Sequence, residues 1–194
     1  MQSHPRPKCT LYVPNVIPRE LSKRAFEFVD STEISWYGPR SRTGRTKEKK
    51  IRASFARHDF EPAVPEVFHE IGRRTLEAIR PLLDDQAKQI YDNGILNTLI
   101  LNVYDPGDSV AAHRDPARRA PGVLGITFCE QASTTRTMRF RLAKEKTRKH
   151  DIVTADASAY LFWGDAYTDW THESVKSKRQ GGRVLSATFR ATRP

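Results

Sequence analysis

From residue 95 onward the chain breaks into five short runs that are β-branched, apolar or alternating, at 95–104, 124–129, 137–142, 159–163 and 184–190, with turns between them. Before them the pattern is helical. Leu21, Ala25 and Phe28 recur at helical spacing after Pro18, and Phe68, Ile71, Thr75, Ile79 and Leu82 share one side of a helix predicted over 65–83. Proline suits the first turn of each. A strand-like piece, Leu11-Tyr12-Val13, precedes the first helix. Helices first and strands after, with no βαβ alternation, predict an α+β chain whose core is an antiparallel sandwich or barrel. At 194 residues the expectation is one domain, with helices and a basic loop over about 10–90 and a β core over about 95–193.

Several common classes drop out. The sequence contains no GxGxxG, no Walker lysine loop and no GxSxG, which removes the usual nucleotide folds and the serine hydrolases. Two cysteines, Cys9 and Cys129, make neither a disulfide framework nor a zinc site, and Cys129 in the apolar stretch 125–129 reads as a buried reduced thiol. The first eight residues lack the apolar core of a signal peptide, and the longest apolar run, 95–104, is broken by Asn97 and Asn102 and is too short to span a bilayer. The expectation is a soluble, intracellular, monomeric protein with no membrane partner.

Charge narrows the partner. Thirty-three lysines and arginines stand against 23 acids, a surplus of +10. Residues 40–57 hold Arg40, Arg42, Arg45, Lys47, Lys49, Lys50, Arg52 and Arg57 against Glu48 alone, which places +7 of that surplus in one stretch. Its Gly44 and its serines and threonines predict a loop. A surplus of this size attracts polyanions, and nucleic acid is the foremost of them. Trp36 and Tyr37 come just before the stretch, placed either to stack on a base beside phosphate-binding cations or to pack in the core.

Of the six histidines, His113 is set apart by its neighbours. It lies in Ala112-His113-Arg114-Asp115, and in an extended chain residues two apart project to the same side. One imidazole and one carboxylate then point together at a single ion. His172, in Trp170-Thr171-His172, supplies a third ligand. Two histidines and one carboxylate on one face of an octahedron leave positions open, the facial triad of non-haem Fe(II) oxygenases.

Around this triad stand Asn102-Val103-Tyr104, then Gly164-Asp165 before His172, and Thr188-Phe189-Arg190 close to the end. In this order the pieces resemble the AlkB-like branch of the 2-oxoglutarate and Fe(II)-dependent dioxygenases, over about residues 96–193. The resemblance implies a double-stranded β-helix, or jelly roll, with N-terminal helices buttressing one sheet. It implies that His113, Asp115 and His172 hold Fe(II), with dioxygen as cosubstrate. Asn102 and Tyr104 would hydrogen-bond 2-oxoglutarate, and Arg190 would meet one of its carboxylates, a pairing that guanidinium makes in bidentate fashion. Ser186 and Thr188 share the Arg190 face. The implied reaction is hydroxylation of a C–H bond, which on an N-methyl group releases formaldehyde and restores the base.

The chain departs from that family at two places. Members carry an arginine six positions before the terminal one, whereas Arg183 precedes Arg190 by seven, which in a regular strand puts the two on opposite faces. Either a bulge at Gly181-Gly182 or in the strand restores the facing, or Arg183 is displaced. Acidic residues follow the His-x-Asp pair in many base-demethylating members; here Pro116-Ala117-Arg118-Arg119 stands instead. Arg136, Arg139 and Arg141 add further cations on a predicted strand. The leading expectation is a dioxygenase acting on an alkylated base in DNA or RNA, preferably single-stranded because an in-duplex base must first be flipped out. In that reading Trp36, Tyr37, Arg40, Arg42, Arg45 and Lys47 contact the substrate. The alternatives are a same-fold enzyme hydroxylating a protein side chain or small molecule, and a nucleic-acid-binding module with a decayed iron site.

Overall fold

Alternation along the last strand, β10 (Val184–Arg190), sets up the layers. Val184, Ser186, Thr188 and Arg190 face one way, Leu185, Ala187 and Phe189 the other, and every one of them is buried. A strand buried on both faces needs a layer on each side. Helices cover one and a second sheet covers the other.

The computed structural model describes residues 6–34, 36, 52–56, 63–92, 95–115, 122–175 and 181–190. In chain order β1 (Thr10–Val13) and α1 (Arg19–Ser31) are followed by β2 (Arg52–Ala56), α2 (Glu66–Ile79) and α3 (Asp85–Asp92). Then come β3 (Thr98–Tyr104), β4 (Val110–His113), β5 (Gly122–Cys129), β6 (Arg136–Leu142), β7 (Glu145–Thr154), β8 (Ser158–Trp163), the short α4 (Gly164–Thr168), β9 (Trp170–Val175) and β10. Six strands form a sheet in the order β1-β8-β5-β10-β3-β2, and four form a second in the order β4-β9-β6-β7, every pairing antiparallel. This is the expected jelly roll with buttressing helices. Among the described residues no helix is long and apolar enough to cross a membrane.

The helices bury the faces their periodicity predicts. Phe68, Ile71, Gly72, Thr75 and Ile79 of α2 are buried against the large sheet, and Phe28 of α1 meets Phe68 edge-on at 5.5 Å. Each large apolar side chain so covered contributes about 1.5–3 kcal/mol. Gly72 sets how closely helix and sheet approach: a Cβ there would lie 2.6 Å from Leu96 Cδ2 and 3.1 Å from the Phe189 ring. The predicted helix over 65–83 ends in a 3₁₀ turn at Arg80–Leu82, and α3 follows at once. Asp84 starts α3, accepting from the Ala87 N–H at 2.7 Å, the hydrogen bond of an N-cap.

One expectation is corrected by the large sheet. Part of the basic stretch read as a loop is strand: β2 pairs along β3 from Arg52↔Asn102 to Ala56↔Thr98, with Ala53 and Phe55 buried. Two apolar residues among cations are too short a period-two signal to stand out from loop composition.

Arg139 and Arg141 pair with carboxylates on the neighbouring strands. Arg139 grips Asp151 with two hydrogen bonds of 2.7 Å across β6 and β7, and Arg141 pairs with Glu173 on β9 at 2.8 Å. Arg136, at the start of the same strand, turns inward and is buried.

Candidate metal centre

The ladder between β4 and β9 sets His113 directly opposite His172. Their rings lie 4.3 Å apart between centroids. Asp115, two residues beyond His113, closes the group: Oδ1 is 4.0 Å from His113 Nε2 and Oδ2 is 3.9 Å from His172 Nε2. One ligand atom from each of the three lies within 4.8 Å of the others. The register shifts by one residue between Val110 and His113, and β4 ends at His113, so Asp115 joins the group from just beyond the strand.

The surroundings hold these side chains in place. Nδ1 of His113 lies 2.9 Å from the Ala111 carbonyl. A carbonyl accepts, so Nδ1 carries the hydrogen and Nε2 turns its lone pair toward Asp115. His172 is packed between Phe162 and Phe140, with centroids at 4.9 and 6.3 Å. The Asp115 side chain is 2% exposed, and Arg190 Nη1 binds its Oδ1 at 2.5 Å. Its other oxygen, Oδ2, is buried with no hydrogen-bond partner. An orphaned buried acceptor costs about 1–3 kcal/mol, more when charged, and a cation between the carboxylate and two imidazoles removes that cost. Two nitrogens and a carboxylate oxygen suit a divalent transition metal such as Fe(II).

The metal group opens onto a cavity between the sheets. It encloses about 630 Å³ with its open mouth included. Asn102, Tyr104, Ser186, Thr188 and Arg190 all line it, so the structure gathers these sequence-predicted residues on one wall. Asn102 stands opposite Ser186 and Tyr104 opposite Val184 in the β3–β10 ladder. The turn that carries the chain from β3 to β4 is tight: Asp108 N–H donates to the Asp105 carbonyl at 3.0 Å, and Gly107 takes a φ of 93° after Pro106. Proline second and glycine third with positive φ is the type II signature.

Three placements differ from expectation or were not foreseen. Arg183 does not reach the cavity. β10 pairs with β3 and β5 without a bulge, so the seven-residue spacing leaves Arg183 on the far side. There its guanidinium binds both oxygens of Asp30, at 2.7 and 2.9 Å, and Glu130 Oε1 at 2.9 Å. Trp36 is half-buried against the main hydrophobic core, the packing alternative of its two readings. Tyr37, Arg40, Arg42, Arg45 and Lys47 lie outside the described residues, as do Pro116-Ala117-Arg118-Arg119. Two wall residues escaped the sequence reading. Tyr160 hydrogen-bonds with Ser186 and Thr188, and burial pushes its phenol up to about 12, so it stays protonated. Arg136 is the other. Tyr160 lies in a strand buried on both faces, where alternation carries no mark, whereas Arg136 shares the face of Met138 and Phe140, and that this face meets a cavity is set by the facing sheet.

Gly164-Asp165 turns out to be architectural. The Asp165 carboxylate accepts from the backbone N–H groups of Lys8 and Cys9 at 3.1 and 3.0 Å, which ties the N-terminal strand to the turn that leads into β9. Gly164 has a φ of 48°, and a Cβ there would meet Cys9 Sγ at 2.8 Å.

The displaced Arg183 gives a pH-dependent expectation. Its hydrogen bonds hold the Asp30 carboxyl below its ordinary value of 3.8, and its backbone and side-chain hydrogen bonds hold Glu130 below 4.5. Carboxyls depressed in the folded state stabilise it above the ordinary values, and that contribution disappears as pH falls through the lowered ones. Arg183→Gln is therefore expected to lower stability by less than about 1 kcal/mol at neutral pH, since the network is partly exposed. Urea titrations should show the two proteins converging below about pH 4. A gap that persists undiminished in acid would refute the ion-pair account.

A jelly roll with two histidines and a carboxylate converging between its sheets is a fold class with a metal-binding group at its open end. The chain is similar in fold to the solved structure of OsALKBH1, an AlkB homologue by name, at TM-score 0.65 and 12% identity, over 97% of this chain and 100% of that one. It is similar also to a Pseudomonas putida prolyl-4-hydroxylase, at TM-score 0.56 and 17% identity, over 95% of this chain and 93% of that one. No protein-family model and no curated protein sequence matches the chain. Both likenesses show the fold that the motifs led us to expect.

Proposed function

We propose that this protein is a 2-oxoglutarate and Fe(II)-dependent dioxygenase acting on an alkylated base in single-stranded DNA or RNA. The observation that carries the reading is the grouping of His113, Asp115 and His172 beside a cavity that His113 and His172 line together with Asn102, Tyr104 and Arg190. His113, Asp115 and His172 would hold the metal. Bound there, Fe(II) would supply the activation of dioxygen and the oxidative decarboxylation of the 2-oxo acid that drive hydroxylation.

The chain's own residues set the conditions for that chemistry. Arg190 fixes the Asp115 carboxylate and stands on the wall where a ligand carboxylate would lie. Asn102 and the Ser186, Thr188 and Tyr160 hydroxyl groups offer directed hydrogen bonds to a polar ligand. Phe140 and Phe162 keep water from the buried side of His172, which strengthens every electrostatic contact there.

Nucleic acid is favoured as substrate by the surplus of +10 and its concentration in residues 40–57. A second reading, hydroxylation of a protein side chain, draws support from the likeness to a prolyl-4-hydroxylase. The deciding experiment incubates Fe(II)-loaded protein with 2-oxoglutarate and a panel of methylated single-stranded oligonucleotides, reading succinate and oligonucleotide mass together. The expected result is succinate coupled to loss of a methyl group or gain of an oxygen on one oligonucleotide. Its binding should weaken about tenfold or more between low and physiological salt. Succinate with every oligonucleotide unchanged would move the substrate to protein or small molecules, and no succinate from any substrate would remove the enzyme reading.

A further inference from the structure

Two arginines are buried among the described residues, Arg136 at 4% exposure and Arg190 at 7%, and both line the same cavity. They come from opposite sheets. Arg190 stands at the Asp115 end of β10, while Arg136 reaches in from β6 over the Tyr104 ring, 3.7 Å from its centroid. Tyr104 pairs with Val184, the first residue of β10, so the two guanidiniums lie toward opposite ends of the Val184, Ser186, Thr188, Arg190 stripe.

We infer that Arg136 binds the distal carboxylate of the 2-oxo acid, a role that rests on the dioxygenase reading above. A dicarboxylate taken out of water needs a cationic fork at each end. The two ends of this cavity have one each. The position six before Arg190, where the resemblance would place the second fork, holds the wholly buried Val184, and Arg183 is committed to Asp30 and Glu130 outside the cavity.

Arg136 is held for such a task. Its Nε donates to Ser174 Oγ and its Nη2 donates to the Asp108 carbonyl at 2.7 Å, while the Tyr104 ring supports the guanidinium plane. These contacts orient the fork. Burial lowers its pKa, and a carboxylate arriving in the cavity would relieve that strain on the charged form. Arg139 and Arg141 on the same strand point outward to Asp151 and Glu173, so the inward turn belongs to Arg136 alone among the three.

The test measures binding, separately from turnover. Mn(II)-loaded protein is titrated calorimetrically with 2-oxoglutarate and with 2-oxopentanoate, which has a methyl group in place of the distal carboxylate. The wild type is expected to prefer 2-oxoglutarate by about 100-fold, the scale of a desolvated charge pair. Arg136→Gln should bring that preference to within a few-fold while leaving 2-oxopentanoate affinity unchanged, and Arg183→Gln should behave as wild type. If Arg136→Gln does not fold, Arg136→Lys takes its place: a preference reduced about tenfold supports the assignment, because an ammonium cannot reproduce the fork. A full preference in the folded Arg136 variant, or its loss in Arg183→Gln, overturns the inference and leaves the dioxygenase reading standing. A wild type that binds neither acid overturns both.

Discussion

Asp115→Ala is expected to abolish metal binding and to destabilise the protein even without metal. Asp115 is the most buried side chain of the three ligands, and Arg190 binds it at 2.5 Å. Removing it takes the carboxylate partner from a buried guanidinium, a loss of about 3–5 kcal/mol. It also removes the anionic ligand from the metal group. Scanning calorimetry with and without Mn(II) separates the two effects. A metal held at a hundred times its Kd adds about 2.7 kcal/mol to the wild type and should add nothing to the variant. An equal metal-induced rise in both proteins would exclude Asp115 as a ligand.

The second large effect concerns a residue with no side chain. Gly125 sits in β5 opposite Tyr160 of β8, and a Cβ at 125 would lie 2.0 Å from Tyr160 Cζ and 2.4 Å from its Cε2 and hydroxyl oxygen. The ring occupies that space because its hydroxyl reaches across to Ser186 and Thr188 on the cavity wall. Gly125→Ala must therefore displace the ring or the strand. The expected loss is about 1–3 kcal/mol, or roughly 3–10 °C in Tm for a chain of this size. The wall should be disturbed with it, weakening 2-oxo acid binding. Adding Tyr160→Leu to Gly125→Ala should recover part of the lost Tm, because the clash is then gone. A Tm for Gly125→Ala equal to wild type would show that the ring does not fill the site.

Both predictions depend on contacts between strands far apart in sequence, and this is where sequence reading lost resolution. Phe68, Ile71, Thr75 and Ile79 mark α2 because the helical period repeats within a dozen residues. Val184 to Arg190 alternate with period two over a whole strand. His113 and Asp115 need only two residues to declare a shared side. The missed elements have weaker local signals. β2 places Ala53 and Phe55, both buried, in a cationic stretch, and α3 offers Ala87 and Tyr91.

The sequence by itself carried the α+β order, which rests on periodicity, and the pairing of His113 with Asp115, which rests on side-chain chemistry at close spacing; the jelly roll and the place of His172 in the group were implied by the resemblance of the ordered motifs. The sequence determined also that Arg183 and Arg190 conflict in register. The tertiary structure alone decided how that conflict ends. β10 runs straight through its pairing with β3 and β5, so Arg183 goes to Asp30 and Glu130 on the outside. Arg136, which the period of β6 sets on the face of Met138 and Phe140 and apart from Arg139 and Arg141, comes to lie over Tyr104 within the cavity. A strand's period tells which residues share a face. Which face meets a core, a solvent layer or a ligand is set by the sheets packed against it, and that information is non-local.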